Sequence, residues 1–260
     1  MAGLRTRITC LGLAAGIVAC GEGPPVEGEP VAQLVAEQSE AALASYLVID
    51  VVDGGTISGI VRYDGDVPRP RTIPVADDAA SCGATQLIQT VSVGVQGGLA
   101  AVVVSLLDIG RGAAPADSDP VLDQRGCRFR PHVLLAPVGS AVSVLNSDPL
   151  THNVHTAAFE NRSVNRSQPA GLDVIELSFN AAEKVKVKCD LHPWMSAWIV
   201  VTDHPYHAIT DDVGRFELSN VPPGDYVLET WHESLGTSRR AVTVRGNETL
   251  DLRVDLVAGD

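Results

Sequence analysis

The sequence predicts an all-β protein, and three features support that class. The 24 glycines and 16 prolines, against an aromatic content of only 4%, suit short strands joined by many turns and disfavour a helical bundle. Apolar residues make up 45% of the chain, which is enough for a hydrophobic core and excludes general disorder. Runs of β-branched and apolar residues bounded by turn signals recur along the chain, as expected for strands.

The N-terminus has the pattern of an export signal. Two arginines precede an apolar stretch over residues 8–19, which is too short to span about 30 Å of hydrocarbon. The run Ile17-Val18-Ala19-Cys20 resembles the lipobox of bacterial lipoproteins. That resemblance implies a signal peptide over 1–19, a lipidated Cys20 with a tether over 20–52, and a place in the bacterial cell envelope as a periplasm-facing or outer-membrane lipoprotein. A plain signal peptide that contains a cysteine is the alternative.

The predicted strands fall into two groups. Strands of the first group are assigned to residues 56–63, 99–106, 132–146, 184–189 and 196–202. After residue 203 the strands follow one another more closely, separated by turn signals such as Ser-Asn-Val-Pro-Pro-Gly. We therefore predict a larger β domain over 53–202 and a smaller β unit over 203–260.

One loop combines three soft metal-binding side chains. Alternation along Lys184–Cys189 places the lysines on one face of a strand and Cys189 on the inward face. His192 and Met195 follow at the spacing Cys-x-x-His-x-x-Met. A thiolate, two imidazoles and a weak axial thioether define a type 1 copper site, so a second histidine is required. The spacing alone is also compatible with a buried structural cysteine beside a surface histidine.

The second histidine is expected from the run Thr151-His152-Asn153-Val154-His155. Strand parity groups His152 with the apolar Val154 on the inward face and His155 with Asn153 on the other. His152 is therefore the better candidate, and His155 is held in reserve.

The two motifs together resemble the cupredoxins, most closely the amicyanin and plastocyanin type. The resemblance implies a Greek-key β-sandwich in which His152, Cys189 and His192 are equatorial copper ligands and Met195 is the axial one. It also implies that Asn153 steadies the cysteine loop. The chain departs from the family pattern at Thr151, where proline is usual, and in the long region before Gly126.

The C-terminal unit resembles a different family. The segments Thr210–Phe216 and Val221–Leu228 read as a turn, a strand, a Pro-Gly loop and a second strand. They resemble the carboxypeptidase regulatory-like domain, a small prealbumin-like β-sandwich with no catalytic residues. Because such domains usually begin with a strand of the form Ile57-Ser58-Gly59-Ile60-Val61, the unit is either continuous or discontinuous with 56–63 contributing, and it is expected to pack against the cupredoxin-like sandwich.

These resemblances imply a role for each cysteine. With Cys20 assigned to lipid and Cys189 to copper, and Cys10 removed with the signal peptide, Cys82 and Cys127 remain in an oxidising compartment. We predict a disulfide between them. Two buried free thiols are the alternative.

The expected function is that of an exported one-electron carrier with one type 1 copper ion, which is not itself an enzyme. The resemblance implies a redox protein as partner, such as a c-type cytochrome or a dehydrogenase, and membrane attachment through the N-terminal lipid. A net charge of -13 without a basic stripe excludes nucleic acid as the expected partner. Copper storage or delivery and a purely structural surface role are the alternatives. The presence of only 2 methionines weighs against storage.

Overall fold

The computed structural model describes residues 46–115, 117–171 and 173–257, and in these ranges the chain is built almost entirely of β-strands. The all-β class is confirmed, and so is the prediction that two β-sandwiches pack together. The predicted signal peptide over 1–19, Cys20 and most of the predicted tether lie outside the described residues. No helix in the described ranges has the length and hydropathy needed to cross a bilayer.

The described residues form strands, one short α-helix and one 3-10 turn. The helix, α1, is Ala79–Cys82 and the 3-10 turn is Val95–Gly97. The strands are β1 Leu47–Val48, β2 Gly55–Tyr63, β3 Arg71–Pro74, β4 Thr85–Ile88, β5 Val103–Leu107, β6 Arg111–Gly112, β7 Val121–Gln124, β8 Phe129–Arg130, β9 Val133–Pro137, β10 Ala141–Asn146, β11 His152–Ala157, β12 Asn165–Gln168, β13 Ile175–Ser178, β14 Glu183–Lys188, β15 Ser196–Thr202, β16 His207–Ile209, β17 Arg215–Val221, β18 Gly224–His232, β19 Gly236–Val244 and β20 Thr249–Leu256.

The first sandwich pairs a four-stranded sheet, in the order β13-β10-β7-β8, with a five-stranded sheet, in the order β12-β11-β14-β15-β9. Its core follows from alternation along the strands. On β14, Val185 and Val187 are fully buried between the sheets, whereas Lys186 and Lys188 are exposed. β11 and β14 are antiparallel, so the beginning of β11 and the end of β14 lie at the same end of the sandwich. That end carries the candidate site.

The second sandwich pairs the sheet β16-β5-β18-β19 with the sheet β17-β2-β20. Its buried core includes Ile57, Leu106, Phe216, Leu218 and Leu228. β2 runs parallel to β20 and antiparallel to β17, so strands from before and after the first sandwich close one common core.

The strand pairing divides the chain differently from the predicted boundaries of 53–202 and 203–260. β2 joins the second sandwich, which is the discontinuous arrangement that the sequence left open for 56–63. β5 also joins it, between β16 and β18, so its assignment to the first group was wrong. The physical reason is that an apolar run shows that a strand is buried but not which strand it pairs with, and the partners of β5 lie about 100 residues later.

An apolar and charged interface joins the two sandwiches. Val103, Val133 and Val200 form a buried cluster, and the rings of Trp198 and Trp231 meet edge to face with their centroids 5.0 Å apart. At one edge of this interface, Lys184 of β14 forms an ion pair of 3.0 Å with the buried Glu229 of β18. The second sandwich therefore packs against the first through both apolar contacts and an ion pair.

A disulfide fixes a hairpin to the first sandwich. β3 and β4 pair as a small two-stranded sheet with α1 between them, and Cys82 at the end of α1 is bonded to Cys127. Both cysteines are buried in the core of the first sandwich. The predicted disulfide is confirmed, and Cys189 is the free cysteine of the described residues.

His207 gives the fold a pH dependence that a single substitution can test. Burial, together with the neighbouring His204, lowers the pKa of His207 from 6.5 to about 3. Because the unfolded chain then binds a proton more readily than the folded one, the free energy of unfolding falls as the pH drops from 6.5 towards 3. His207→Gln is expected to flatten the part of this slope between pH 6.5 and 5 in urea denaturation. An unchanged slope in the variant would show that the His207 imidazole is not held neutral.

Candidate metal centre

Cys189 begins the loop that follows β14. The alternation that buries Val185 and Val187 also turns Cys189 inward, and only 2% of Cys189 is exposed. The loop closes tightly, because the Cys189 amide donates to the carbonyl oxygen of Met195 and the Met195 amide donates to that of His192, at 3.1 and 2.9 Å. This closure places His192 Nδ1 3.7 Å from Cys189 Sγ.

His152, the first residue of β11, completes the group. It is fully buried, and its Nδ1 lies 3.0 Å from His192 Nδ1, with the two rings nearly perpendicular. The ligand atoms of His152, Cys189 and His192 all lie within 4.8 Å of one another. Three donor atoms from two segments about 40 residues apart therefore converge inside one buried space.

The outer nitrogen of each imidazole faces a carboxylate. His152 Nε2 lies 2.8 Å from Asp148 Oδ2, and His192 Nε2 lies 3.3 Å from Asp78 Oδ2. A neutral imidazole that donates from Nε2 carries its lone pair on Nδ1, so these carboxylates orient both lone pairs towards the centre of the group. This tautomer is assigned from the hydrogen-bond network.

Asp148 is itself fixed. Its two carboxylate oxygens accept hydrogen bonds of 2.7 Å from the backbone amides of Gly126 and Cys127. Burial would raise the pKa of Asp148, but the Cys127 amide, the bond from His152 and the Gly126 amide outweigh it, so its pKa is lowered. Asp148 therefore remains a carboxylate that can hold the ring of His152.

Burial also lowers the pKa of His152, and the hydrogen bond that its Nε2 donates to Asp148 offsets this only in part. The imidazole is consequently neutral at pH 7, the form that a metal ion requires.

The donor set fits copper. Two Nδ1 lone pairs that face each other at 3.0 Å repel unless a proton or a metal ion lies between them, and a proton there would either make one imidazole cationic or cost a neutral imidazole its Nε2 bond to a carboxylate. A thiolate with two imidazoles is the equatorial set of a type 1 copper site. His152, Cys189 and His192 would hold the ion, and Met195, buried in the same loop, is the residue predicted for the axial position.

His155 lies outside this group. Its Nδ1 is 2.8 Å from a carboxylate oxygen of Asp190, and its side chain is 30% exposed. The structure therefore brings His152, and not His155, to Cys189 and His192.

Asn153 lies beside the cysteine loop, as the family resemblance implies. Its Oδ1 accepts a hydrogen bond of 3.1 Å from the Asp190 amide, and its Nδ2 donates to Asn165. Asn153 thus ties the residue after Cys189 to β11.

Two carboxylates of the site were missed by sequence reasoning. Asp148 stands four residues before His152, and that spacing was a usable signal. Asp78 lies 114 residues before its partner His192, and no local pattern connects them. It stands four residues before Cys82, which is bonded to Cys127.

A second group of Asp203, His204 and His207 lies next to the interface of the two sandwiches. His204 is buried. His204 Nδ1 accepts a hydrogen bond from the Tyr206 amide, and His207 Nδ1 donates to the His204 carbonyl. Because the Nδ1 lone pair of His204 already accepts this hydrogen bond, we assign His204 a structural role.

Substituting the two histidines of β11 tests this arrangement. His152→Ala is expected to lower copper affinity by more than the roughly 10–100-fold that loss of an outer hydrogen-bond partner causes, because it removes a donor atom. His155→Ala is the matched control on the same strand and should leave affinity within a few-fold. Isothermal titration of both variants with copper measures the difference. Equal losses in the two variants would contradict the assignment of His152.

The chain is similar to several solved structures. No family model and no curated protein matches it. Among solved structures it is similar to a copper-containing nitrite reductase from Thermus scotoductus SA-01, with 21% identity over 35% of this chain and 24% of that chain, and a TM-score of 0.31. It is also similar to a purple cupredoxin from Nitrosopumilus maritimus, with 23% identity over 32% of this chain and 100% of that chain, and a TM-score of 0.28.

An oxidised amicyanin variant is similar to the chain as well, with 24% identity over 34% of this chain and 90% of that chain, and a TM-score of 0.30. The chain spans about a quarter of the length of the nitrite reductase. Likeness at this level concerns the fold, and the chemistry of the site rests on the residues of this chain.

Proposed function

We propose that this protein is an exported carrier of single electrons with one type 1 copper centre. The observation that carries the proposal is the convergence of His152 Nδ1, His192 Nδ1 and Cys189 Sγ in a buried space, with both Nε2 atoms held by carboxylates. When bound, copper supplies a Cu(II)/Cu(I) couple that takes up and releases one electron.

The surrounding chain is suited to a centre that changes charge with little movement. The backbone bonds between Cys189, His192 and Met195 fix the loop, and Asn153 ties it to β11. Trp194 Nε1 donates a hydrogen bond of 3.0 Å to the carbonyl oxygen of Cys127. Because these bonds do not depend on the metal, they would hold the donor atoms in place in both oxidation states, and the cost of rearrangement during electron transfer would be small.

The closed site supports a carrier over an enzyme. His152, Cys189 and His192 are each at most 2% exposed, so a substrate has no direct approach to the donor atoms. An electron crosses such a barrier by tunnelling, whereas a reacting molecule must touch the metal. The proposed partner is therefore a redox protein that docks on the outside of the site.

Voltammetry of the copper-loaded protein tests the carrier function. The copper-loaded protein should give a single reversible one-electron wave in voltammetry and should exchange electrons with a small soluble cytochrome. An irreversible wave, or a wave that corresponds to more than one electron for each protein, would contradict the proposal.

Export and lipid attachment are part of the same proposal and are supported by the run Ile17–Cys20. Mass spectrometry of the N-terminal peptide from protein produced in a Gram-negative host is expected to show a chain that begins at a lipidated Cys20. An N-terminus elsewhere, or an unmodified Cys20 thiol, would contradict the attachment.

A further inference from the structure

The outer edge of His192 is covered by a segment from a distant part of the chain. The side chain of His192 is only 3% exposed, although it stands in a loop at the end of a sandwich. Its Nε2 faces the carboxylate of Asp78, which is itself 49% exposed. Asp78 therefore stands between this imidazole and solvent.

The backbone of this segment has a defined geometry. Asp78 adopts the left-handed conformation, with φ 61° and ψ 18°, and precedes α1. Its carbonyl oxygen accepts hydrogen bonds from the amides of Ser81 and Cys82, at 2.9 and 2.8 Å. Aspartate is among the few residues other than glycine that adopt this conformation readily. The turn thus fixes the backbone position from which the Asp78 carboxylate reaches His192.

Cys127 connects this turn to both histidines of the site. Its sulfur is bonded to Cys82, four residues from Asp78. Its amide donates to Asp148, which holds His152. Its carbonyl oxygen accepts the bond from Trp194, whose ring centroid lies 5.1 Å from that of His192. Asp148 and Asp78, the carboxylates that face the two imidazoles, are therefore connected through Cys127 and its disulfide to Cys82.

We propose that the segment Asp78–Cys82, held by the Cys82–Cys127 disulfide, is a fixed cover over the metal centre, and that Asp78 is a positioning residue for His192. The cover blocks the approach of small chelating molecules from solvent while leaving the donor atoms untouched. This inference rests on the proposed copper site, and its consequence is slow loss of the metal.

The test compares copper loss from four proteins: the unchanged chain, Asp78→Ala, Asp77→Ala, and the double variant Cys82→Ala with Cys127→Ala. Asp77→Ala is the matched control, because Asp77 is the exposed neighbour of Asp78 and carries the same charge. Excess EDTA is added to each oxidised, copper-loaded protein, and the bound copper is followed over time. We expect loss on the order of 10–100-fold faster in Asp78→Ala and in the double variant, as for other outer partners of metal ligands, and no change in Asp77→Ala.

A second measurement needs no copper. In the metal-free protein, nuclear magnetic resonance should detect a slowly exchanging Nε2 proton on His192 in the unchanged chain and in Asp77→Ala. That proton should exchange rapidly in Asp78→Ala, while the amide signals of the strands should show that the variant remains folded. If the folded Asp78→Ala variant and the unchanged chain lose copper at the same rate and exchange this proton at the same rate, the proposed cover would be wrong. If copper does not bind in the expected way, the proposed function fails, and proton exchange still decides whether Asp78 covers His192.

Discussion

Replacing Cys189 with serine is expected to abolish the blue colour of the oxidised, copper-loaded protein. The colour of a type 1 site arises from charge transfer between a thiolate sulfur and copper, and Cys189 is the free cysteine of the described residues. A serine hydroxyl has nearly the same size but lacks the soft sulfur, so the substitution removes the transition while the fold is kept. Visible absorption after loading with one equivalent of copper measures the loss.

The control for this variant is the metal content. Copper bound without colour in Cys189→Ser would match a site in which His152 and His192 still supply two nitrogens. A variant that retains the intense blue colour would contradict the assignment of Cys189 as the thiolate ligand.

Removing the disulfide is expected to lower the free energy of unfolding by about 4 kcal/mol. Cys82 and Cys127 are 45 residues apart, and closing a loop of that length restricts the unfolded chain by about this amount in the chain-entropy account. The double variant Cys82→Ala with Cys127→Ala avoids leaving a single thiol. Urea denaturation of metal-free protein gives the difference between the variant and the unchanged chain.

Reduction offers an independent check of the same bond. The unchanged protein in dithiothreitol should unfold at a lower urea concentration, close to that of the double variant. The double variant itself should not respond to dithiothreitol. A loss of stability below about 1 kcal/mol in both experiments would contradict the predicted restriction of the unfolded chain by the Cys82–Cys127 bond.

Alternation along single strands carried most of the site prediction. The period of two on β14 placed Cys189 inward, and the same rule on β11 separated His152 from His155. These are local properties of a strand with one buried face, so they can be read from neighbouring residues. The structure places His152 and His155 on different sides of β11 accordingly.

Pairings between distant segments were harder to predict. β5 was grouped with strands near it in sequence, although its hydrogen-bond partners are β16 and β18. Asp78 was overlooked because it meets His192 across 114 residues of sequence. Such contacts depend on how the whole chain folds back on itself, and a single sequence contains no periodic signal for them.

The visible absorption spectrum of the unchanged protein, titrated with Cu(II), shows whether the chain holds one type 1 copper ion. We expect an intense blue colour that grows linearly to one equivalent and then stops, because one thiolate and two imidazoles converge on one place. Copper that binds at one equivalent without an intense blue colour, or that does not bind, would contradict it.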